Sequence, residues 1–216
     1  MTVMAIIDLK SGELNDHLVK AAAALKDGYV IVAPLENSYA LVADAFFHDA
    51  VRAMHVLRGD ELGISAQVII GSSTATEGIA RDVTEPVRAL MANFWPGLLS
   101  LNLKPQRGLN WDLGDGQQLD LFSVRVPSAE FIQKLAKAHG PLAVASAAGA
   151  GKSPITDPND LAFTDLEVAA IFSIGLIPQG PASTIVAADS DKPHILRVGA
   201  ISAQEITGIA PDISGE

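Results

Sequence analysis

The segment Phe94-Trp95-Pro96-Gly97-Leu98-Leu99-Ser100 decides more about the fold than any other stretch of this chain. It joins a large aromatic residue to a residue of fixed φ and a residue of permissive φ, a combination that predicts one specific bend. A second run, Ser123-Val124-Arg125-Val126-Pro127, has the pattern of a buried β-strand that Pro127 ends. Such a strand would deliver a single cation, Arg125, to its end.

Helical and strand-like patterns alternate on both sides of these two runs. Strands are predicted at residues 29–33, 66–70, 99–103, 119–126, 142–145, 169–172, 184–187 and 195–198. Helices are predicted at residues 14–25, 49–57, 85–94 and 128–139, the last capped by Ser128, with a helical turn at 203–206. The connection at 104–118 is polar and contains glycine, so the strands that flank it should pair antiparallel. These patterns predict an α/β fold in which helices pack on a twisted, mixed sheet.

Size and composition predict one globular domain over residues 1–216. Apolar residues make up 49% of the chain and charged residues 19%, proportions that suit a packed core. No apolar run approaches the roughly 20 residues of a transmembrane helix, and residues 1–10 lack the pattern of a signal peptide. The sequence has no cysteine, which excludes disulfides, thiolate metal ligands and cysteine nucleophiles. We therefore expect a cytoplasmic protein with no membrane partner.

The charge balance argues against a nucleic-acid partner. The chain has 15 Lys and Arg residues against 25 Asp and Glu residues, a formal net charge of −10. Proteins that bind a phosphate backbone gain affinity from clustered cations, and no run of basic residues occurs here. An RNA-binding module is therefore disfavoured.

Several common site patterns are incomplete or missing. Gly149-Ala150-Gly151-Lys152-Ser153 resembles the end of a P-loop, but Ser146 stands where that motif requires its first glycine. The histidines form no pair or carboxylate cluster at ligand spacing, so no metal site built from protein ligands is predicted. The loop at 146–160 is long and rich in small residues, which is typical of a functional loop.

A series of short motifs in a fixed order resembles the YrdC/YciO family over roughly residues 28–206. Trp95-Pro96-Gly97 and Val124-Arg125-Val126-Pro127 match the family pattern well. The other matching segments are Pro34-Leu35-Glu36-Asn37-Ser38-Tyr39-Ala40-Leu41, Arg58-Gly59-Asp60, Ser146-Ala147-Ala148-Gly149-Ala150-Gly151, Ser173-Ile174-Gly175, Ala182-Ser183-Thr184-Ile185 and Ile195-Leu196-Arg197-Val198-Gly199-Ala200-Ile201. The resemblance implies a YrdC-like fold, with a largely antiparallel sheet and flanking helices around a concave cleft.

Active members of this family are threonylcarbamoyl-AMP synthases that serve the t6A modification of tRNA. The resemblance therefore implies ATP, L-threonine and bicarbonate as substrates, Mg²⁺ as a helper and tRNA-modification proteins as partners. Carbamate and triphosphate are both anionic, so cations must hold them together and stabilise the leaving pyrophosphate. The family motifs assign catalytic positions to Arg58 and Asp60. They assign nucleotide or substrate binding to Leu35, Tyr39, Arg125, Ser146, Ala148, Ser183 and Arg197. We expect the arginines and serines of this set to line one cleft.

Three of these positions depart from the family pattern. The family has Lys-x-Arg where this chain has Arg58-Gly59-Asp60, so a carboxylate replaces the second cation. Leu35 replaces a threonine, and Ala148 replaces the asparagine of a Ser-x-Asn element. A carboxylate beside phosphates is repulsive unless a metal such as Mg²⁺ intervenes. Two interpretations stay open: a synthase whose remaining arginines supply enough positive charge, and a non-catalytic paralogue that binds a nucleotide or another small anion.

Overall fold

One mixed β-sheet runs through the whole computed structural model, which describes residues 6–118, 120–188 and 193–213. Its strands are β1 (Ile6–Asp8), β2 (Ile31–Pro34), β3 (Tyr39–Asp44), β4 (Gln67–Ile69), β5 (Ala80–Arg81), β6 (Leu99–Pro105), β7 (Phe122–Arg125), β8 (Leu142–Ser146), β9 (Ala170–Ser173), β10 (Thr184–Ala187) and β11 (His194–Arg197). The helices are α1 (Leu14–Lys26), α2 (His48–Arg58), α3 (Thr76–Ile79), α4 (Glu85–Phe94), α5 (Glu130–His139) and α6 (Ala203–Ile209).

The strands lie in the order β1-β9-β2-β3-β8-β4-β7-β6-β10-β11, and β5 pairs with β6 beside this path. Six pairings between these strands are antiparallel, and four are parallel. The predicted mixed, largely antiparallel sheet is therefore confirmed. The pair β6–β7, expected from the polar connection between its strands, is indeed antiparallel.

Helices pack on both faces of the sheet because the central strands are apolar on both sides. In β2, Ile31 and Ala33 join a cluster with α1 and α5, whereas Val32 joins a cluster with α2, α4 and α6 on the opposite face. The same alternation occurs in β3, β4, β8 and β9. Glycine ends α2, since Gly59 takes up a left-handed conformation with φ 68°.

Part of one sheet face carries polar side chains instead of a helix. The cluster of α1 and α5 reaches from β9 through β2, β3 and β8 to Ile69 of β4. Beyond β4, the same face is continued by β7, β6, β10 and β11. A cavity rather than a helix covers this region, as the following section describes.

The N-cap predicted for α5 is wrong. The helix begins at Glu130 and its cap position is Ala129, whose side chain makes no capping hydrogen bond. Ser128 instead uses its backbone N–H and its hydroxyl on Glu36 Oε1, at 2.8 and 3.3 Å. A tertiary contact with a carboxylate has therefore replaced the local capping contact.

Strand and helix boundaries otherwise shift by a few residues. The strand predicted at 184–187 and the helix predicted at 85–94 are observed with those bounds. The strand predicted at 119–126 is observed at Phe122–Arg125, and Leu119 lies outside the described residues. The predicted turn at 203–206 is a longer helix, and β1, β3 and β5 were not predicted. Within the described ranges, every helix is too short or too polar to cross a bilayer.

Candidate functional site

Five neighbouring strands, β4, β7, β6, β10 and β11, build the floor of the candidate site. Side chains alternate between faces along a strand, so the pairing register tells which residues share a face. Ser100 lies opposite Ile185, which in turn lies opposite Arg197. The register of β6 on β7 puts Arg125 on this face, and that of β4 on β7 adds Gln67. One row across this sheet face therefore contains Gln67, Arg125, Ser100 and Arg197.

Arg125 is buried, and its guanidinium is held on several sides. Nη1 and Nη2 donate to the two carboxylate oxygens of Glu36 at 2.8 and 2.9 Å. Nε donates to Gln67 Oε1 at 3.2 Å, and Nη1 also donates to the carbonyl oxygen of Gly97 at 3.3 Å. These contacts with described residues use four of the five N–H donors of a guanidinium. One N–H of Nη2 remains for a ligand in the cavity.

Glu36 is the anion that balances Arg125. Burial by itself would raise the pKa of Glu36, because a buried carboxylate loses hydration. The hydrogen bonds and the positive charge of Arg125, with the backbone N–H of Ser128, act in the opposite direction. Their combined effect holds the pKa of Glu36 below its ordinary value of 4.5. Glu36 is therefore charged at neutral pH and forms a largely buried ion pair with Arg125.

A tight hairpin turn between β2 and β3 presents Glu36. The N–H of Leu35 donates to the carbonyl oxygen of Ser38 at 2.9 Å, which closes the turn. Asn37 Nδ2 donates to the carbonyl oxygen of Pro181 at 2.6 Å and so ties the turn to the segment that precedes β10. Leu35 and Glu36 consequently face the row of polar groups from above.

The Trp-Pro-Gly bend lies next to Arg125. Its Trp95–Pro96 peptide bond is cis, and Trp95 Nε1 donates to the carbonyl oxygen of Leu99 at 2.7 Å within the core. The N–H of Gly97 donates to the carbonyl oxygen of Val126 at 2.9 Å, directly after β7. The bend therefore packs against the end of the strand that carries Arg125, which explains why the two segments occur together.

Ser183 and Arg197 form the other end of the row. Arg197 donates from Nη2 to the carbonyl oxygen of Ser183 at 2.8 Å and to its Oγ at 3.3 Å, and Nε reaches the same carbonyl at 3.2 Å. These acceptors are uncharged. Among the described residues no carboxylate forms an ion pair with Arg197, so this end of the row carries positive charge.

A cavity of about 300 Å³ lies over this row. Leu35, Glu36, Gln67, Arg125 and Ser183 contribute to its lining, and segment 179–182 closes one side. The half-buried carboxylate of Glu36 and the buried guanidinium of Arg125 thus face the same space, with the hydroxyl of Ser183 at the far end. Such a cavity has the size and the polar groups to hold an amino acid or part of a nucleotide.

Tyr39 supports the site from within the core. Its side chain is fully buried, and its hydroxyl donates to the carbonyl oxygen of Gly175. The hydroxyl also accepts from Ser173 Oγ at 2.7 Å, since its own single hydrogen already goes to the carbonyl oxygen of Gly175. Tyr39 therefore fixes the end of β9 and does not line the cavity.

Arg58 and Asp60 form a separate group with His55. Asp60 Oδ2 lies 2.8 Å from His55 Nδ1 and 3.2 Å from Arg58 Nε, and only 4% of the Asp60 side chain is exposed. His55 Nε2 in turn contacts the carbonyl oxygen of Leu113 at 2.8 Å. Asp60 lines a second cavity, also of about 300 Å³, beside α2. The carboxylate at the motif position therefore neutralises Arg58.

The small-residue loop after β8 reaches two regions: its first part lies against Arg58, and Pro154 and Thr156 further along line the cavity that Arg125 faces. The N–H of Ala150 donates to the carbonyl oxygen of Arg58 at 2.8 Å, and Ser146 Oγ accepts from the N–H of Ala148 at 3.2 Å. Ala148 is buried. The predicted site residues thus form two groups. One contains Leu35, Arg125 and Ser183, with Arg197 bound to Ser183; the other contains Arg58 and Asp60. The pairing register puts Ser146 on the same sheet face as Gln67, whereas Ala148 and Tyr39 are buried.

Sequence reasoning missed two residues of the first group. Gln67 lies within a short apolar strand, and Ser100 is a fully buried hydroxyl in β6. A single polar residue inside an apolar strand was the available signal, because buried polar groups need hydrogen-bond partners. Glu36 lay inside a quoted motif, but its partner Arg125 is 89 positions away.

A family model described as telomere recombination, Sua5/YciO/YrdC, matches residues 23–199. The chain belongs to the Sua5/YciO/YrdC family. A Mycobacterium leprae protein with the provisional name threonylcarbamoyl-AMP synthase is 33% identical over 90% of this chain and 89% of its own length. The threonylcarbamoyl-AMP synthase of Bacillus subtilis is 30% identical over 90% of this chain, which spans 57% of that longer protein.

Solved structures agree with this family assignment. The crystal structure of Pyrococcus abyssi Sua5 complexed with L-threonine superposes with a TM-score of 0.87 at 26% identity, over 98% of this chain and 62% of that one. Escherichia coli YciO superposes with a TM-score of 0.79 over 95% of this chain and all of its own, at 20% identity. The second likeness bears on the fold alone. The predicted YrdC-like fold is thereby confirmed.

The carboxylates of the site are already engaged in ion pairs. Glu36 is paired with Arg125, and Asp60 with His55 and Arg58. In the described ranges, no three His, Cys, Asp or Glu side chains are grouped to hold a metal ion. The residues therefore do not fit a magnesium cage made by the protein. Any Mg²⁺ would arrive with the phosphates of its nucleotide, which is its usual mode of binding.

Proposed function

We propose that the chain converts ATP, L-threonine and bicarbonate into threonylcarbamoyl-AMP and pyrophosphate. One observation carries this proposal: the Glu36–Arg125 pair and Ser183 line one cavity, and Arg197 donates to Ser183 beside it. Support comes from the family: a relative of similar length carries the provisional name of this synthase, and a longer relative carries the same name.

The charges of the cavity suit the ends of an amino acid. A threonine carboxylate would accept from the remaining N–H of Arg125 and from Ser183, under the positive charge of Arg197. Its amino group would face the carboxylate of Glu36. Within this proposal the free amine attacks bicarbonate and water leaves, giving a carbamate. A carbamate oxygen then attacks the α-phosphorus of ATP, and pyrophosphate departs.

The chain's own residues would contribute orientation and charge to these steps. Arg125 and Arg197 stabilise anions that otherwise repel each other. The cavity wall formed by Leu35 excludes water from the carbamate, which hydrolyses readily. Magnesium enters as Mg-ATP and so belongs to the substrate. Bicarbonate, tRNA-modification proteins as partners and a cytoplasmic location are parts of the same proposal.

The deciding experiment measures pyrophosphate release from Mg-ATP, with omission of L-threonine or bicarbonate as controls and the product identified by mass. We expect release that needs both. Arg125→Ala should lower kcat/KM about 100-fold or more, the usual scale for losing one preorganised anion-stabilising group. Lys134→Ala is the matched control, because it removes one positive charge from an exposed ion pair on α5. Folded protein without release at high concentration would contradict the proposal.

A second candidate function is that of a non-catalytic paralogue that binds a nucleotide or another small anion. The observation that favours it is the burial of Asp60 against Arg58, which removes free positive charge at that motif position. Asp60→Asn separates the two functions, since it abolishes the charge at nearly constant volume. A synthase limited by this pair should gain ATP affinity and turnover. A paralogue should gain affinity only, still without pyrophosphate release.

A further inference from the structure

Gln67 contacts both halves of the cavity floor through its side-chain amide. It is half-buried on β4, and its Oε1 accepts from Arg125 Nε at 3.2 Å. Its Nε2 donates to Ser100 Oγ at 2.9 Å and to Ser123 Oγ at 3.1 Å. Because a guanidinium can only donate, Arg125 fixes which end of the amide is the acceptor. The orientation of Gln67 is thereby set.

The contact with Ser100 continues across the sheet. Ser100 Oγ accepts from Gln67 and therefore uses its own hydrogen elsewhere: it donates to Ser183 Oγ at 2.9 Å. Ser183 Oγ accepts from Ser100 and also from Arg197 Nη2 at 3.3 Å. A hydroxyl has two acceptor sites and one hydrogen. With both acceptor sites used, Ser183 presents its hydrogen as a donor at the cavity.

We propose that Gln67 is a positioning residue that sets the direction of the hydrogen-bond chain Gln67–Ser100–Ser183, so that Ser183 donates to an anionic group in the cavity. At its other end, Gln67 holds the Arg125 guanidinium in the plane that leaves one N–H for the same ligand. This proposal rests on the proposed function for the identity of that ligand, the carboxylate of L-threonine. The ordering of the chain itself depends only on the contacts above.

Gln67→Glu tests the direction of the chain, because a carboxylate of almost the same shape only accepts. Ser100 must then donate to position 67 and accept from Ser183, whose hydrogen is no longer available to a ligand. The substitution also adds negative charge close to the ligand. A comparison in two backgrounds separates these effects. Ser100→Ala cuts the chain to Ser183, whereas Ser123→Ala removes the other acceptor of Nε2 and leaves the chain intact.

Binding of L-threonine and of inorganic pyrophosphate would be measured by calorimetry for six proteins. These are the wild type, Ser100→Ala and Ser123→Ala, each with and without Gln67→Glu. We expect Gln67→Glu to weaken binding at least tenfold in the wild-type and Ser123→Ala backgrounds, since a bond to a charged group is lost. In the Ser100→Ala background the further loss should be about threefold or less, the charge effect alone. Equal losses in both serine backgrounds would overturn the proposal.

A second measurement needs no ligand. Hydrogen exchange of the Arg125 Nε–H, followed by NMR, reports whether Gln67 holds the guanidinium. Gln67→Met keeps the volume and removes the acceptor, so exchange should quicken at least tenfold; Ser123→Ala should leave it within about twofold. Unchanged exchange in Gln67→Met would overturn the positioning role. Absence of pyrophosphate release by the wild-type protein would contradict the synthase proposal only, because binding and exchange remain readable.

Discussion

Arg125 and Glu36 depend on each other for stability as well as for their place in the cavity. Their side chains are only 5% and 11% exposed. Removing one partner of such a pair leaves an uncompensated buried charge. Arg125→Ala should therefore lower the free energy of unfolding by about 3 kcal/mol, measured by urea denaturation at pH 7. Lys134→Ala, which breaks an exposed pair, should change it by less than about 0.5 kcal/mol. If Arg125→Ala changed the free energy of unfolding as little as Lys134→Ala does, the mutual dependence of Arg125 and Glu36 would be contradicted.

The lowered pKa of Glu36 makes stability depend on pH. Below its ordinary pKa of 4.5 the unfolded chain takes up a proton before the folded protein does, so folding loses stability as pH falls. The contribution is fully present above that value and disappears as pH falls through the lowered folded-state pKa. The free energy of unfolding, measured with urea between about pH 6 and 3, should fall less steeply with decreasing pH for Glu36→Gln than for the wild type. Glu130→Gln, at an exposed position, is the control and should keep the wild-type slope.

Individual residues show where sequence information ends. Trp95 and Arg125 could be assigned to a bend and to a strand end from neighbouring residues alone. The partners that give Arg125 its role are Glu36 and Gln67, at separations of 89 and 58 positions. The residues next to Arg125 in the sequence do not indicate these partners, because the contacts form only when the strands pair in their final order. The same applies to Ser128, which has the composition of a cap but binds Glu36.

At the scale of elements, the hairpin of β10 and β11 positions Ser183. Gly199 lies so close to this hairpin that a β-carbon there would overlap the carbonyl oxygen of Ala182 and the backbone of Ser183. Gly199→Ala should therefore move Ser183 away from Arg197 and weaken L-threonine binding at least tenfold, by calorimetry. Gly78→Ala on α3 is the matched control, because a β-carbon there meets nothing within 4 Å. Equal affinities in the two variants would contradict this account.

Helices and strands were predictable where their apolar residues followed one clear periodicity. The run at 184–187 is apolar and flanked by polar or small residues, and its bounds were obtained correctly. Strand β3 was not predicted, although Glu36, Asn37 and Ser38 separate its apolar residues from those of β2. The direction and order of strands could be inferred only in part. The β6–β7 pair followed from its connection, whereas the parallel pairs join distant segments.

The whole molecule should unfold as one unit, because five central strands contribute alternate residues to both hydrophobic clusters. Loss of either cluster would expose the other face of the same strands. Far-UV circular dichroism follows the entire sheet, whereas the fluorescence of Trp95 and Trp111 reports the larger cluster alone. We expect the same urea midpoint from both signals. Two separate midpoints would contradict the prediction of a single domain, and would mean that the α1–α5 side is stable by itself.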